Sequence, residues 1–139
     1  SIVEPRMRAT TAAVLLFIIN LVGLGLGPLF VGILSDMLAI SLENEASMAL
    51  VPGYRIAGKT GTAEIPINGY YSSTNTNVSF IGWGPVDDPK FMIYIWLDRP
   101  STSIWANDTA APLFAEIAQK TVILLNIPPD AVRLQIASP

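Results

Sequence analysis

The longest feature of the hydrophobic pattern is an uncharged, mainly apolar run over residues 9–35. It exceeds the roughly 20 residues needed to cross a bilayer and the apolar core of about 7–15 residues in a cleavable signal peptide. Arg6 and Arg8 precede the run and Asp36 follows it, a charge distribution that places the N-terminus in the cytoplasm. The pattern therefore predicts one transmembrane helix within residues 1–40, with the rest of the chain outside.

Three strands are predicted further along, over residues 54–63, 77–83 and 91–97. The first two are rich in aromatic, threonine and β-branched residues, and the third is a continuous apolar run. A turn signal at residues 87–89 predicts that the second and third strands pair as an antiparallel hairpin. Because the third strand shows no polar alternation, we expect both of its faces to be covered, as in a central strand.

A C-terminal helix is predicted from Asp108, a plausible N-cap, to a point before Pro128. Polar residues at 42–45 mark a shift in composition after the apolar run, so the sequence divides near residue 40. The predicted fold class is α+β. It comprises one N-terminal transmembrane helix (1–40), and then, within residues 41–139, a three-stranded antiparallel sheet with a C-terminal helix packed on it.

The composition limits the chemistry that this chain can perform. Its 139 residues are 51% hydrophobic and 14% charged, which is more apolar than a typical soluble domain. It contains no cysteine and no histidine, which excludes disulfides, thiolate catalysis, most zinc sites and a histidine general base. The net charge of −3 gives no electrostatic footprint for nucleic acid. Because the chain begins with Ser1 and not with methionine, we expect a fragment or a processed product.

Residues 53–60 match the phosphate-binding loop G-x-x-x-x-G-K-[ST] of nucleotide hydrolases position by position. Such a loop needs a helix that begins at its Lys-Thr pair, so that the N-terminal amides face the phosphates. Gly61 and Pro66 follow the lysine too closely for a sound helix, and residues 54–56 favour an extended segment. A P-loop-like nucleotide-binding module is therefore an alternative function and not the preferred one.

The same motif has a different meaning if it lies in a strand. Side chains alternate along a strand, so Lys59 and Gly61 would share one face, and Thr60 and Thr62 the other. A glycine there lets a ligand or another main chain approach closely. An edge of this kind can bind an extended peptide, with hydroxyls and an ammonium group holding its carboxylate.

The chain also resembles two known families. Residues 51–63, Val-Pro-Gly-Tyr-Arg-Ile-Ala-Gly-Lys-Thr-Gly-Thr-Ala, look like the third signature of penicillin-binding protein transpeptidases. The resemblance of residues 46–139 to the C-terminal part of that domain continues, in family order, through segments 79–85, 87–91, 97–100 and 109–114. Residues 1–40 resemble a late transmembrane helix of a major-facilitator transporter, on segments 5–10, 20–28 and 31–36. A truncated transporter with a non-functional tail is therefore a second alternative.

The first resemblance implies a serine-type D,D-transpeptidase that is anchored in the bacterial cell membrane and cross-links peptidoglycan on the extracytoplasmic side. Its partners would be the D-Ala-D-Ala stem peptide, β-lactams and the membrane, without nucleic acid, cofactor or metal. It implies that Lys59, Thr60, Gly61 and Thr62 form the catalytic motif. Lys59 would supply positive potential, Thr60 and Thr62 would contact the substrate carboxylate, and the Thr62 amide would help to form the oxyanion hole.

One element of the family pattern is missing. No serine in this sequence has a lysine three residues later, so the Ser-x-x-K nucleophile is absent and the chain alone is predicted to be inactive. Residues 73–75 fit the loose Ser-x-Asn pattern, but they follow Lys59, whereas the family's element precedes the Lys-Thr-Gly strand. We interpret that match as a coincidence.

Overall fold

The structure is a computed structural model that describes the backbone of residues 5–137 and the side chains of residues 12–44 and 46–136. It falls into two compact units, Ser1–Leu34 and Ser35–Pro139. The helices and strands follow in chain order: α1 Pro5–Glu45, β1 Ala57–Ile67, β2 Tyr70–Gly84, β3 Phe91–Asp98, α2 Ala110–Leu124 and α3 Asp130–Ala137, with short 3-10 helices at Ser47–Ala49 and Ala106–Asp108.

The apolar run is helical, as predicted, and the helix α1 extends to Glu45. Residues Ala12–Asn44 form a candidate membrane span by length and composition. The last part of α1 has a different role, because Ala39 and Leu42 are buried and Leu42 belongs to the core of the second unit. The helix is continuous across residue 40, where the amino-acid composition changes.

The second unit contains a three-stranded antiparallel sheet in the order β1-β2-β3. This confirms the predicted sheet and the predicted pairing of its last two strands across the turn at residues 87–89. β1 and β2 extend beyond the ends at residues 63 and 77 that the sequence predicted, and they form a hairpin whose two-residue turn is Asn68 and Gly69, with φ of 52° and 85°. Two consecutive positive φ values match the right-handed twist of the flanking strands.

The core of the second unit lies between one face of the sheet and α2. Phe80 of β2 and Phe114 of α2 are fully buried, with ring centroids 4.6 Å apart. Gly82 makes this packing possible, because a Cβ at that position would lie 2.6 Å from the Phe114 ring. The predicted α+β class and the packing of a helix on the sheet are therefore confirmed.

The prediction that residues 91–97 form a central strand is wrong. β2 is central, and β3 is an edge strand within the part of the chain that the structure describes. Only one face of β3 is covered: Ile95 is 8% exposed, whereas Met92, Tyr94 and Trp96 are 68%, 62% and 54% exposed. The continuous apolar run indicates two apolar faces, but it cannot show whether a second layer lies over the outer one.

Two details of the C-terminal region also differ from the prediction. Asp108 is not the N-cap of α2; it ends a 3-10 helix, its carboxylate accepts a hydrogen bond from Ser103 Oγ at 2.9 Å, and the N-cap position is Thr109. The helix α3, which starts directly after Pro128 and Pro129, was not predicted. Because proline is tolerated before and in the first turn of a helix, this pair separates two helices.

Candidate functional site

The four predicted site residues lie in the first half of β1. Lys59 and Thr62 are exposed, and Thr60 and Gly61 are half-buried. β1 pairs with β2 on one side, and no strand pairs with its other side among residues 5–137. The motif therefore occupies an open sheet edge, which is the geometry that an extended peptide needs for strand addition.

The side chains of the motif alternate as a strand requires. Lys59 lies opposite Ile81 and Gly61 opposite Ser79, on the outer face of the sheet. The threonines lie opposite core residues: Thr60 opposite Phe80 and Thr62 opposite Val78. Lys59 Nζ donates a hydrogen bond to Thr60 Oγ1 at 3.3 Å, so the lysine side chain folds back around its own strand. The ammonium group and one hydroxyl are thereby brought together.

The close approach of a β2 side chain explains why a glycine stands at position 61, and the sequence did not reveal this contact. A Cβ at this position would lie 2.6 Å from Ser79 Oγ, so the close neighbour is a side chain of β2. Ser79 is thus a hydroxyl on the same face as Lys59, and sequence reasoning missed it as a site neighbour. Its place at the start of the family-like segment 79–85 was the available signal.

There is little space between the motif and the helix beside it. A cavity of about 10 Å³ is lined by Ser41 and Leu42 of α1, by Ala46 just after it, and by residues 58–60 of β1. This volume is at the lower limit for one water molecule. A ligand would therefore have to reach Lys59 and Thr60 from the open edge or from the outer face.

The phosphate-loop interpretation is wrong. Lys59 and Thr60 lie within the strand β1, whereas a phosphate loop requires them to open a helix. Gly53 has φ +83° in the turn before β1, so a glycine is needed there without any phosphate. Both glycines of the loop pattern have structural explanations. Gly53 lies in a turn, and at Gly58 an added Cβ would lie 2.8 Å from the Ile81 carbonyl oxygen.

The Ser-x-Asn match at residues 73–75 is not brought to the motif. It lies in β2 near the hairpin turn, whereas the residue opposite Lys59 is Ile81, eight residues later or roughly 26 Å along the strand. The hydrogen bonds there are local: Ser72 Oγ accepts from the amides of Thr74 and Asn75 at 3.3 and 3.1 Å.

Comparison with known proteins shows which family of domains contains a strand like β1. Residues 33–119 match the family model described as the penicillin binding protein transpeptidase domain. The chain is 38% identical over 92 residues to stage V sporulation protein D of Bacillus subtilis and 44% identical over 85 residues to the peptidoglycan D,D-transpeptidase FtsI of Buchnera aphidicola subsp. Baizongia pistaciae. These alignments cover 66% and 60% of this chain but only 14% and 15% of the relatives.

Solved structures agree with this assignment. The apo transpeptidase domain of penicillin-binding protein 3 from Burkholderia pseudomallei matches with a TM-score of 0.63 and 30% identity, over 69% of this chain and 30% of that domain. Penicillin binding protein 3 from Mycobacterium tuberculosis, in complex with ampicillin, matches with a TM-score of 0.52 and 37% identity, over 60% and 20% of the two chains. Since the family match covers more than half of the sequence, this chain belongs to the penicillin binding protein transpeptidase domain family.

Proposed function

We propose that this chain provides the Lys-Thr-Gly-Thr half of a peptidoglycan D,D-transpeptidase site, and that the serine nucleophile lies outside residues 1–139. The observation that carries the proposal is the placement of Lys59, Thr60 and Thr62 on an open strand edge in a chain of this family. The substrate would be the D-Ala-D-Ala end of a stem peptide, and a β-lactam would occupy the same edge.

Each residue of the motif has a proposed role. The Lys59 ammonium and the hydroxyls of Thr60 and Thr62 bind the terminal carboxylate of the stem peptide. A serine oxygen from outside residues 1–139 attacks the carbonyl carbon of the penultimate D-alanine, and the Thr62 amide stabilises the oxyanion that forms. The bond to the terminal D-alanine then breaks, and the acyl group passes to an amine of a neighbouring strand. Without that serine the chain is inactive.

The outer face of the sheet is the proposed contact with the rest of the domain. The chain spans 30% of the matched Burkholderia domain, and Met92, Tyr94 and Trp96 present an apolar surface on the same face as Lys59. A sheet with an apolar face is stable when a second layer covers it. We propose that the part of a transpeptidase domain that precedes the Lys-Thr-Gly strand supplies this layer.

We further propose that the N-terminal unit is a single membrane span and that the second unit lies on the extracytoplasmic side. The side chains of residues 12–34 are exposed apart from one half-buried position, and at 1.5 Å per residue this stretch extends about 35 Å, enough to cross a bilayer. The division between a membrane part (1–40) and a transpeptidase part (41–139) remains a prediction, as does the resemblance of the first part to a major-facilitator helix. The family match, which starts at residue 33, favours a slightly earlier boundary.

Covalent labelling with a fluorescent penicillin tests the proposed function. The full chain is expressed with the upstream part of a related transpeptidase domain, which carries the Ser-x-x-K motif, and each partner is also expressed alone. We expect labelling of the pair only. Lys59→Ala should slow labelling of the pair by about 100-fold, the order of effect seen when a substrate-positioning group is lost.

A matched control uses another exposed lysine. Lys120 pairs with Glu116 on the surface of α2, and Lys120→Ala removes the same charge without affecting β1. This variant should label at the normal rate. Equal labelling of the pair with and without Lys59 would overturn the proposal, because the motif would then have no part in acylation.

A further inference from the structure

The segment that leads into β1, residues 53–56, is fastened to three other parts of the second unit through Arg55. The Arg55 N–H donates to Asp130 Oδ2 at 2.6 Å, and the Arg55 carbonyl accepts from the Val86 N–H at 2.9 Å. The Arg55 guanidinium forms an ion pair with Asp36 Oδ1 at 2.9 Å. One residue is thereby joined to α3, to the turn between β2 and β3, and to α1.

Two more hydrogen bonds join the same segment to the chain around the start of α3. The Tyr54 hydroxyl donates to the Ile127 carbonyl at 2.7 Å, and the Asp130 N–H donates to the Gly53 carbonyl at 3.0 Å. Both bonds connect residues more than 70 positions apart in sequence. The C-terminal segment therefore holds the lead-in at three consecutive residues, from Gly53 to Arg55.

Arg133 fixes the carboxylate on which this arrangement depends. Its guanidinium donates to both oxygens of Asp87 at 2.8 and 2.7 Å, and to Asp130 Oδ1 at 2.6 Å. The Arg133 and Asp130 side chains are only 15% and 18% exposed. The pair with Asp87 is bidentate and the pair with Asp130 is shielded, and each feature holds a geometry better than a single pair in open solvent does.

We propose that Asp130 and Arg133 form a clamp that positions the Lys59–Thr62 strand. β1 starts to pair with β2 only at Ala57, so the clamp holds the chain directly before the sheet begins to hold it. Lys59 follows Arg55 by four residues, about 13 Å along an extended chain. Asp130 and Arg133 are thus positioning residues, and their effect at Lys59 rests on the proposed function, whereas the clamp itself does not.

Amide hydrogen exchange on the full chain in detergent micelles tests the clamp. Arg133→Gln removes the charge and the forked contact, and we expect exchange of the Arg55 and Val86 amides to rise by about tenfold through local opening. Arg133→Lys keeps the charge without the fork and should give an intermediate rise. Amides in the centre of the sheet, such as Phe80, should exchange as before.

The control is Lys120→Gln, which breaks the exposed pair with Glu116 and should leave the Arg55 and Val86 amides unchanged. Unchanged exchange at these two amides in Arg133→Gln would overturn the clamp. An equal acceleration across the whole sheet would overturn it too, because Arg133 would then contribute to general stability and not to the position of one segment.

A second readout separates positioning from folding. In the pair of polypeptides that labels with fluorescent penicillin, Arg133→Gln should slow acylation by about tenfold while the final extent of labelling is retained. A reduced extent at a normal rate would indicate loss of folded protein and would contradict a positioning role. If the wild-type pair fails to label, the proposed function fails, and hydrogen exchange still decides whether the clamp exists.

Discussion

Glycines of the sheet show how single residues determine the packing around the motif. Gly82 faces two core rings, and an added Cβ would lie 2.6 Å from Phe114 Cζ and 2.9 Å from Phe80 Cε1. Gly61 faces only the Ser79 hydroxyl, which can rotate away. The two glycines lie in adjacent strands of one sheet, but they tolerate a methyl group differently.

We predict that Gly82→Ala lowers the free energy of unfolding by about 1–3 kcal/mol, because buried rings have to shift to admit the methyl group. Gly61→Ala should lower it by less than about 1 kcal/mol. Urea unfolding followed by tryptophan fluorescence measures both. An equal loss in the two variants would contradict this account of the packing.

The sequence identified the residues of the motif, but it did not show the contacts that explain why these residues are there. The Lys-Thr-Gly-Thr motif was located by its pattern, and the strand alternation of its side chains followed from periodicity. The role of Gly53 could not be predicted, because a glycine in a phosphate loop and a glycine at φ +83° look the same in one sequence. The proximity of Ser79 to Gly61 depends on strand register, which no local pattern encodes.

The contact between α3 and the β2–β3 turn should respond to pH. The hydrogen bonds from Arg133 lower the pKa of Asp87 below its ordinary value of 3.8, with smaller contributions from the charges of Arg133 and Arg55. Because the pKa of Asp87 is lower in the folded chain than in the unfolded chain, this contact stabilises the fold at pH values above the ordinary pKa of 3.8. The contribution is lost as the pH falls through the lowered pKa of Asp87.

We therefore predict that Asp87→Asn destabilises the chain at neutral pH by less than about 1 kcal/mol, since the Asp87 side chain is 43% exposed to solvent. The gap between wild type and variant should narrow as the pH falls below the ordinary Asp87 pKa of 3.8. Urea midpoints at neutral and acidic pH measure it. A gap of the same size at neutral and acidic pH would show that the charge of Asp87 does not contribute.

The outer face of β3 offers a second test at the scale of one element. Tyr94 and Ile95 are neighbours on opposite faces of the strand, one exposed and one buried. Tyr94→Ser should change the free energy of unfolding by less than about 0.5 kcal/mol, whereas Ile95→Ala should lower it by about 2–4 kcal/mol. Thermal unfolding of the full chain distinguishes the two.

The Tyr94→Ser variant also tests what covers this face of the sheet. Tyr94→Ser should weaken association with the upstream part of a transpeptidase domain, measured by co-purification, although it leaves the chain folded. Undiminished association would show that the partner binds elsewhere.

The elements were predictable to the extent that they follow local patterns. The apolar run, three strands and one helix were identified from periodicity and turn signals. The position of β3 at the sheet edge was not, because an apolar run of seven residues is the same in a central strand and in an edge strand whose outer face lacks a layer. α3 was missed because Pro128 and Pro129 indicate an end more strongly than a new start.

The whole molecule combines a candidate membrane helix with a minor share of a transpeptidase domain. Its relatives and the matched solved domain are much longer than the aligned part of this chain. The sequence predicted the family from the order of several short segments, and it predicted the missing nucleophile from the absence of a Ser-x-x-K pattern. The remainder of the transpeptidase domain lies outside the aligned part of this chain, and no pattern in this sequence identifies it.

The most direct measurement is intact-mass analysis of both polypeptides after treatment with a penicillin. We expect one acyl adduct on the upstream partner, formed only when this chain is present, and no adduct on the 139-residue chain. An adduct on a serine of this chain, with Ser79 beside Gly61 as the first position to examine, would contradict the claim that the nucleophile comes from elsewhere. Equal acylation of the upstream partner without this chain would contradict the claim of a shared site.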